Sequence, residues 1–240
     1  MPRLQTLLSR SRAHLAQRRR AATFASGVKP SPRPDLVTVG DLGYGGYVLP
    51  ASLLGPDSVC YLAGTGEDIS FDLGVIARFG CKVYSMDPVP RAAEHVAAAT
   101  AHEPRVVFKP VALWSSDQTL TFHAPREPGY VSQSAVNLYD TAADFTAPAR
   151  STRSLMEELG HDHIDLLKLS VEGSEYEILD NVVTDQIDVR VLCVEYAQPA
   201  PVRRAIESVR ALERAGYGLV AASVRVWNWK LTFIRSPAPG

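Results

Sequence analysis

The chain has few cysteines, only Cys60, Cys81 and Cys193 in 240 residues, and no Cys-x-x-Cys pair. That excludes a disulfide scaffold and leaves a thiolate zinc site nothing to build on. Each of the three lies in apolar, strand-like sequence, where a free thiol packs as a small hydrophobe. No apolar run approaches the roughly 20 residues needed to span a bilayer. The N-terminus lacks the continuous apolar core of a secretory signal. Internal repeats are missing too. These absences predict a cytoplasmic globular chain, and 46% hydrophobic with 21% charged residues is an ordinary balance for one.

Acidic residues are absent from the first 34 positions, which carry eight bases: Arg3, Arg10, Arg12, Arg18, Arg19, Arg20, Lys29 and Arg33. The formal net charge of −1 therefore hides a body with 17 basic against 26 acidic side chains. An acidic body makes a polynucleotide substrate a poor expectation. The arm itself fits several readings: contact with an anionic surface, docking on the acidic body, a mitochondrial transit segment, or a solvated amphipathic helix. Leu4, Leu7, Leu8 and Leu15 at near-helical spacing predict a helix from Pro2 to about Ala22. The proline-rich run Lys29-Pro-Ser-Pro-Arg-Pro34 cannot be helical and marks a boundary. The expected organisation is an extension and linker over 1–34 and one domain over 35–240.

Within that domain short apolar runs alternate with helical patterns. Strands are expected at 59–63, 82–86, 105–113, 164–171 and 189–196, with helices at 69–79, 90–100, 201–215 and after 174. The helix after 174 opens with the capping-box sequence Ser174-Glu-Tyr-Glu177. Two final runs, 217–224 and 226–234, are too close for a helical crossover and predict an antiparallel hairpin. The fold class is thus α/β, a doubly wound, mostly parallel seven-stranded sheet of Rossmann-like type. The stretch 114–150 is irregular apart from an edge-like strand at 119–123, and reads as a loop over the site.

Ligands of an open α/β sheet bind beyond the carboxyl ends of its strands, so each end is a place to look for chemistry. The first strand ends in Ala63-Gly-Thr-Gly-Glu-Asp68. Its glycines allow a tight turn and close backbone approach, and Asp68 can cap the next helix. Ile69 stands where a dinucleotide fingerprint needs its third glycine. Asp87, 21 residues after Gly66 and followed by Pro88, can accept both hydroxyls of an adenosine ribose. Ala112 and Leu113, in Val111-Ala-Leu-Trp114, offer an apolar edge for adenine. The cofactor-binding set is therefore Ala63, Gly64, Thr65, Gly66, Asp68, Asp87, Pro88, Ala112 and Leu113.

The fourth strand runs Asp165-Leu-Leu-Lys-Leu-Ser-Val-Glu-Gly-Ser-Glu-Tyr-Glu-Ile-Leu179. Strand alternation would set Lys168, Ser170 and Glu172 on one face. A lysine in an apolar strand needs a partner, with Glu172 and Glu175 as counter-ions. Lys168, Ser170 and Glu172 form the catalytic set, and His123 and Asp117 are further candidate bases. A lysine and a helix N-terminus beside Glu172 predict an ionised carboxylate that orients the acceptor rather than storing a proton.

This segment resembles the signature of FkbM-type methyltransferases. Phe71 to Pro88, Leu192-Cys-Val-Glu-Tyr196 and Tyr44-Gly-Gly-Tyr-Val-Leu-Pro50 are similar to other stretches of that family. The resemblance covers roughly residues 40 to 235. It implies the class I methyltransferase fold, S-adenosyl-L-methionine as cofactor, and methylation of a hydroxyl on a sugar or secondary metabolite. Two positions depart from the pattern: Ser170 where the family has aspartate, and Leu62 where many such enzymes carry an acid. The first removes a carboxylate ligand and predicts metal-independent activity. Together they motivate an alternative, a catalytically silent binding protein of the same fold. A nicotinamide oxidoreductase is the third reading, disfavoured by Ile69.

Overall fold

The computed structural model describes residues 2–126 and 132–236, with side chains from residue 12 onward. Helix α1 (Pro2–Gly27) leads into a hairpin of β1 (Leu36–Val39) and β2 (Tyr47–Pro50). Next come β3 (Cys60–Ala63), α2 (Ser70–Phe79), β4 (Val83–Met86), α3 (Pro90–Ala99) and β5 (Val106–Lys109). Three strands follow, β6 (Ala112–Trp114), β7 (Gln118–His123) and β8 (Ala143–Ser151), then α4 (Thr152–Leu159). The chain ends with β9 (Ile164–Leu169), α5 (Glu175–Thr184), β10 (Val189–Tyr196), α6 (Val202–Arg214), β11 (Tyr217–Val224) and β12 (Trp229–Arg235).

Seven strands form the main sheet in the order β11-β12-β10-β9-β3-β4-β5. The pairs β5–β4, β4–β3, β3–β9 and β9–β10 are parallel; β12 runs antiparallel between β10 and β11. This is the expected sheet, with the closing hairpin folded back so that its second strand lies inside the first. Both faces are covered. Phe71, Val75 and Ile76 of α2 pack with Tyr47 and Leu49 of the hairpin over one face; Ile178 and Leu179 of α5 and Val209 and Leu212 of α6 cover the other. Local signals set the ends of the helices. Gly80 takes a left-handed φ of 78° after α2, Pro90 opens α3, and the Ser151 side chain accepts the Ser154 N–H at 3.1 Å to cap α4.

Four expectations change. The single strand expected over 105–113 breaks at Pro110, which has no N–H for the ladder; its second part, β6, leaves the main sheet. The stretch taken as a loop contains β8, which pairs parallel with β6 and antiparallel with β7 in a separate three-stranded sheet. The fourth main-sheet strand stops at Leu169, so alternation does not reach Glu172. The capping box does not form: Ser174 has helical angles and makes no side-chain cap, while Glu175 accepts the N–H of Gly173 at 2.8 Å and of Ala197 at 3.1 Å.

Helix α1 is longer than its leucine pattern suggests, and the side chains of Leu4, Leu7 and Leu8 lie outside the described residues. Its second half is seated on the body rather than solvated. Phe24 is fully buried and stacks on Trp229 at 4.3 Å with the rings 8° apart. Burial of such a ring stabilises by roughly 1.5–3 kcal/mol. Among the described residues no helix is long and apolar enough to cross a membrane.

Candidate active site

A cavity of about 270 Å³ opens beyond the carboxyl ends of β3, β4, β9 and β10, where an open α/β sheet binds its ligands. Its floor is the turn after β3. Gly64 and Gly66 have φ of 80° and 60°, and a Cβ on Gly64 would overlap the carbonyl oxygen of Ser170. Only glycine fits there. The turn is tied from two sides. The Lys168 ammonium donates to the Gly64 carbonyl at 2.6 Å, and the Gly66 N–H donates to Asp87 Oδ2 at 2.8 Å. Asp87 Oδ1 accepts the Val89 N–H at 2.9 Å. Burial raises the Asp87 pKa, opposed by those two N–H groups. An ionised carboxylate offers about four lone-pair sites, so it can still accept from a ligand. Asp68 accepts the first helical N–H, that of Ser70, at 2.9 Å. The Thr65 hydroxyl is buried on this floor with no partner among the described residues.

One side wall comes from the small sheet: Ala112, Leu113 and Trp114 of β6 with Leu120 and Phe122 of β7. The opposite side is Tyr44 and Gly45 of the β1–β2 connection, with Glu195 from the end of β10 and Asn228 from the β11–β12 turn. Lys230, 2% exposed, holds that connection by donating to the carbonyls of Tyr44 and of Gly46, the latter at 3.2 Å. Asn228 Nδ2 donates to Glu195 Oε1 at 2.7 Å.

Glu172 reaches the cavity by a turn, not by alternation. It has φ of 48°, Gly173 has φ of 99°, and Ser134 Oγ donates to the Glu172 carbonyl at 2.8 Å. Its carboxylate accepts the Tyr139 hydroxyl at 2.6 Å. Burial pushes its pKa up, with Glu195 adding to the effect, while Tyr139 opposes it. The expectation of a plainly ionised carboxylate therefore gives way: desolvation outweighs the hydrogen bond and the lysine. Glu175, fully buried against backbone N–H groups, is pushed up to about 7 by burial.

Neither glutamate is the counter-ion of Lys168, whose hydrogen bond goes to a backbone carbonyl. Burial lowers the lysine pKa, and Asp72, Glu195 and Asp87 oppose that shift. Asp72 lies buried beneath, bonded by Ser85 Oγ and pushed up to about 6 by burial. Ser170 Oγ lies 3.0 Å from the Tyr47 hydroxyl.

Of the expected site residues, Gly64, Thr65, Gly66, Asp68, Asp87, Pro88, Ala112, Leu113, Lys168, Ser170 and Glu172 all line the cavity. Ala63 does not; it is buried in β3. His123 turns Nδ1 toward the Thr141 carbonyl at 3.2 Å, and Asp117 is held by Arg150 and the Ser151 N–H. Neither borders the cavity. Sequence reasoning missed Tyr44, Tyr139, Glu195 and Asn228. For Glu195 a signal existed, an acid next to last in a strand that is apolar and buried from Val191 to Val194. Among the described residues no group of three or more His, Cys, Asp or Glu side chains is placed to hold a metal ion.

Strand order, antiparallel insertion and a cavity over the glycine turn define a class I methyltransferase fold. The chain belongs to the methyltransferase FkbM domain family, whose sequence model matches residues 65–219. A similar curated protein is the "Probable methyltransferase-like protein 24" of Rattus norvegicus, 24% identical over 127 residues. That match takes in 53% of this chain and 29% of the rat protein, so the chain spans under a third of that relative. Among solved structures, the methyltransferase FkbM from Methylobacillus flagellatus KT superposes with a TM-score of 0.46 at 13% identity, over 74% of this chain and 43% of that one. Aeropyrum pernix fibrillarin, solved with natively bound S-adenosyl-L-methionine, superposes with a TM-score of 0.43 at 9% identity, over 76% and 68%.

Proposed function

We propose that this methyltransferase uses S-adenosyl-L-methionine to methylate a hydroxyl of a small molecule, a sugar or a secondary metabolite, in the cytoplasm. The observation that carries the reading is Asp87: a buried carboxylate at the end of β4, fixed by two backbone N–H groups beside a glycine turn. That is the position and chemistry to receive a ribose diol. The unpartnered Thr65 hydroxyl supports a ligand on the same floor, because a buried polar atom without a partner is costly. The bound cofactor would supply a methyl group on a positively charged sulfur.

The remaining work falls to side chains. Trp114, Leu120 and Phe122 give an apolar wall that aligns the acceptor and excludes water. Glu172, its pKa raised by burial, takes the proton of the acceptor hydroxyl. Tyr139 keeps its carboxylate aimed. Lys168 and Ser170 act on the protein rather than on the acceptor, the lysine by fixing the Gly64 carbonyl and the serine by meeting Tyr47. No metal ligand set is part of this scheme, and activity is expected to survive EDTA.

Asp87→Ala tests the assignment. It removes charge-assisted bonds of about 1.5–3 kcal/mol, so calorimetric affinity for the cofactor should fall at least about tenfold. Unchanged affinity would refute the ribose role. Thermal shifts with S-adenosylmethionine, S-adenosylhomocysteine and NAD distinguish the readings, since a ligand of the native state raises its melting point. A shift with NAD alone would favour an oxidoreductase. Cofactor binding without turnover across acceptor panels would favour the silent binding protein.

A further inference from the structure

Among the described residues of α1, Arg12, Arg18, Arg19 and Arg20 have no acidic partner, and the helix that carries them is held in one orientation. Phe24 stacked on Trp229, Gln17 Nε2 donating to Gln198 Oε1 at 2.6 Å, and Arg20 donating to the Ala200 carbonyl lock the rotation of the helix. With Gln17, Ala21 and Phe24 turned inward, Arg12, Leu15, Arg18 and Arg19 are left exposed. Among the described residues no carboxylate comes within ion-pair distance of Arg12, Arg18 or Arg19, although the body carries 26 acids against 17 bases. Arg12, Arg18 and Arg19 therefore keep their charge for something outside the domain, whereas Arg33 is paired with Asp35.

Two large apolar side chains stand exposed on or against α1: Leu15 at 51% and, near His14, Trp227 at 57%. Trp227 sits in the turn between β11 and β12, its ring 6.4 Å from His14. Asn228, the next residue, lines the cavity.

We propose that Arg12, Leu15, Arg18, Arg19 and Trp227 form a docking surface for an anionic lipid membrane. Guanidinium groups meet lipid phosphates, and an indole with a leucine enters the boundary between headgroups and chains. A nucleic acid would use the charges and leave Leu15 in water. The acidic body is repelled by the same membrane, so the protein approaches arm first. Docking in this way brings Asn228, a residue of the cavity lining next to Trp227, close to the interface.

The test is flotation of the intact chain with vesicles of phosphatidylcholine, alone or with phosphatidylglycerol added. Binding is expected only to the anionic vesicles, with release at high salt as the screening length shrinks to about 3 Å at 1 M. The double variant R12E/R19E should lose about tenfold or more in partitioning, and Trp227→Ala should lose several-fold, both with unchanged melting temperatures. Equal binding to neutral vesicles, binding to neither, or an R12E/R19E variant that still floats would overturn the proposal. So would tighter binding to a single-stranded RNA than to anionic vesicles. If the double variant melts lower, the salt series on the parent protein decides.

Discussion

The cavity has two walls made on different principles. The wall from the seven-stranded sheet is built of backbone: a glycine turn held by Lys168, a carboxylate held by N–H groups, and positive φ at Gly64 and Gly66. The wall from the three-stranded sheet is built of side chains, Trp114, Leu120 and Phe122, that a family of acceptors could reshape without moving the chain. Backbone-built walls tolerate almost no substitution, whereas side-chain walls tolerate many. That division suits a constant cofactor facing a variable acceptor.

Gly64→Ala strikes the backbone wall hardest. A side chain there is strained at φ of 80° and collides with the Ser170 carbonyl. The cost is of order 3 kcal/mol or more, and cofactor binding should vanish in calorimetry even if the protein stays folded on melting. Normal affinity would show that the two walls do not differ in the way described. Glu172→Gln, at the junction of the walls, should lower kcat by about 100-fold or more with cofactor affinity within about twofold. A base must be deprotonated to act, so the parent rate should fall as pH drops through the raised carboxyl pKa, and the variant should lose that limb. Full activity with only a lower melting temperature would make Glu172 structural. Leu120→Ala, on the side-chain wall, should raise the acceptor KM about fivefold while cofactor affinity holds. A matching loss of cofactor affinity would assign that wall to the cofactor instead.

The sequence made the backbone wall legible because its signals are local. Gly64, Gly66 and Asp87 sit at the ends of short apolar runs, and the period of those runs gave the strands that carry them. The other wall was not. Strand β8 reads Ala-Asp-Phe-Thr-Ala-Pro-Ala-Arg-Ser: Phe145, Ala147 and Ala149 do alternate with other residues, but alanines make a weak apolar face and Pro148 counts against a strand. Its partners lie far off in sequence, and pairing of that kind leaves no local trace. Glu172 shows a subtler limit. Its place on the cavity wall agrees with the expectation, but alternation was the wrong reason, since the strand had already ended at Leu169 and a left-handed turn carries the side chain inward. The capping box failed similarly: Ser174 is itself helical, and Glu177, the acid of the box, faces Arg204 at 3.5 Å. Tyr139 and Asn228 lie on turns, where neither period nor propensity speaks.

One feature of the sheet bears on how the chain is made. Strand β12 is made after the other six strands of the main sheet, yet it lies between β10 and β11 and carries Trp229, on which Phe24 of α1 stacks. Until residue 229 has emerged, β11 has no neighbour in the sheet, β10 has an open edge, and α1 has no aromatic seat. Helix α1 and strand β12 therefore complete one another. Nascent intermediates carry an unpaired strand and an unseated arginine helix, the kind of exposed edge and surface that chaperones bind. A stall or truncation before residue 229 would not trim the fold at its margin; it would remove a strand from its interior.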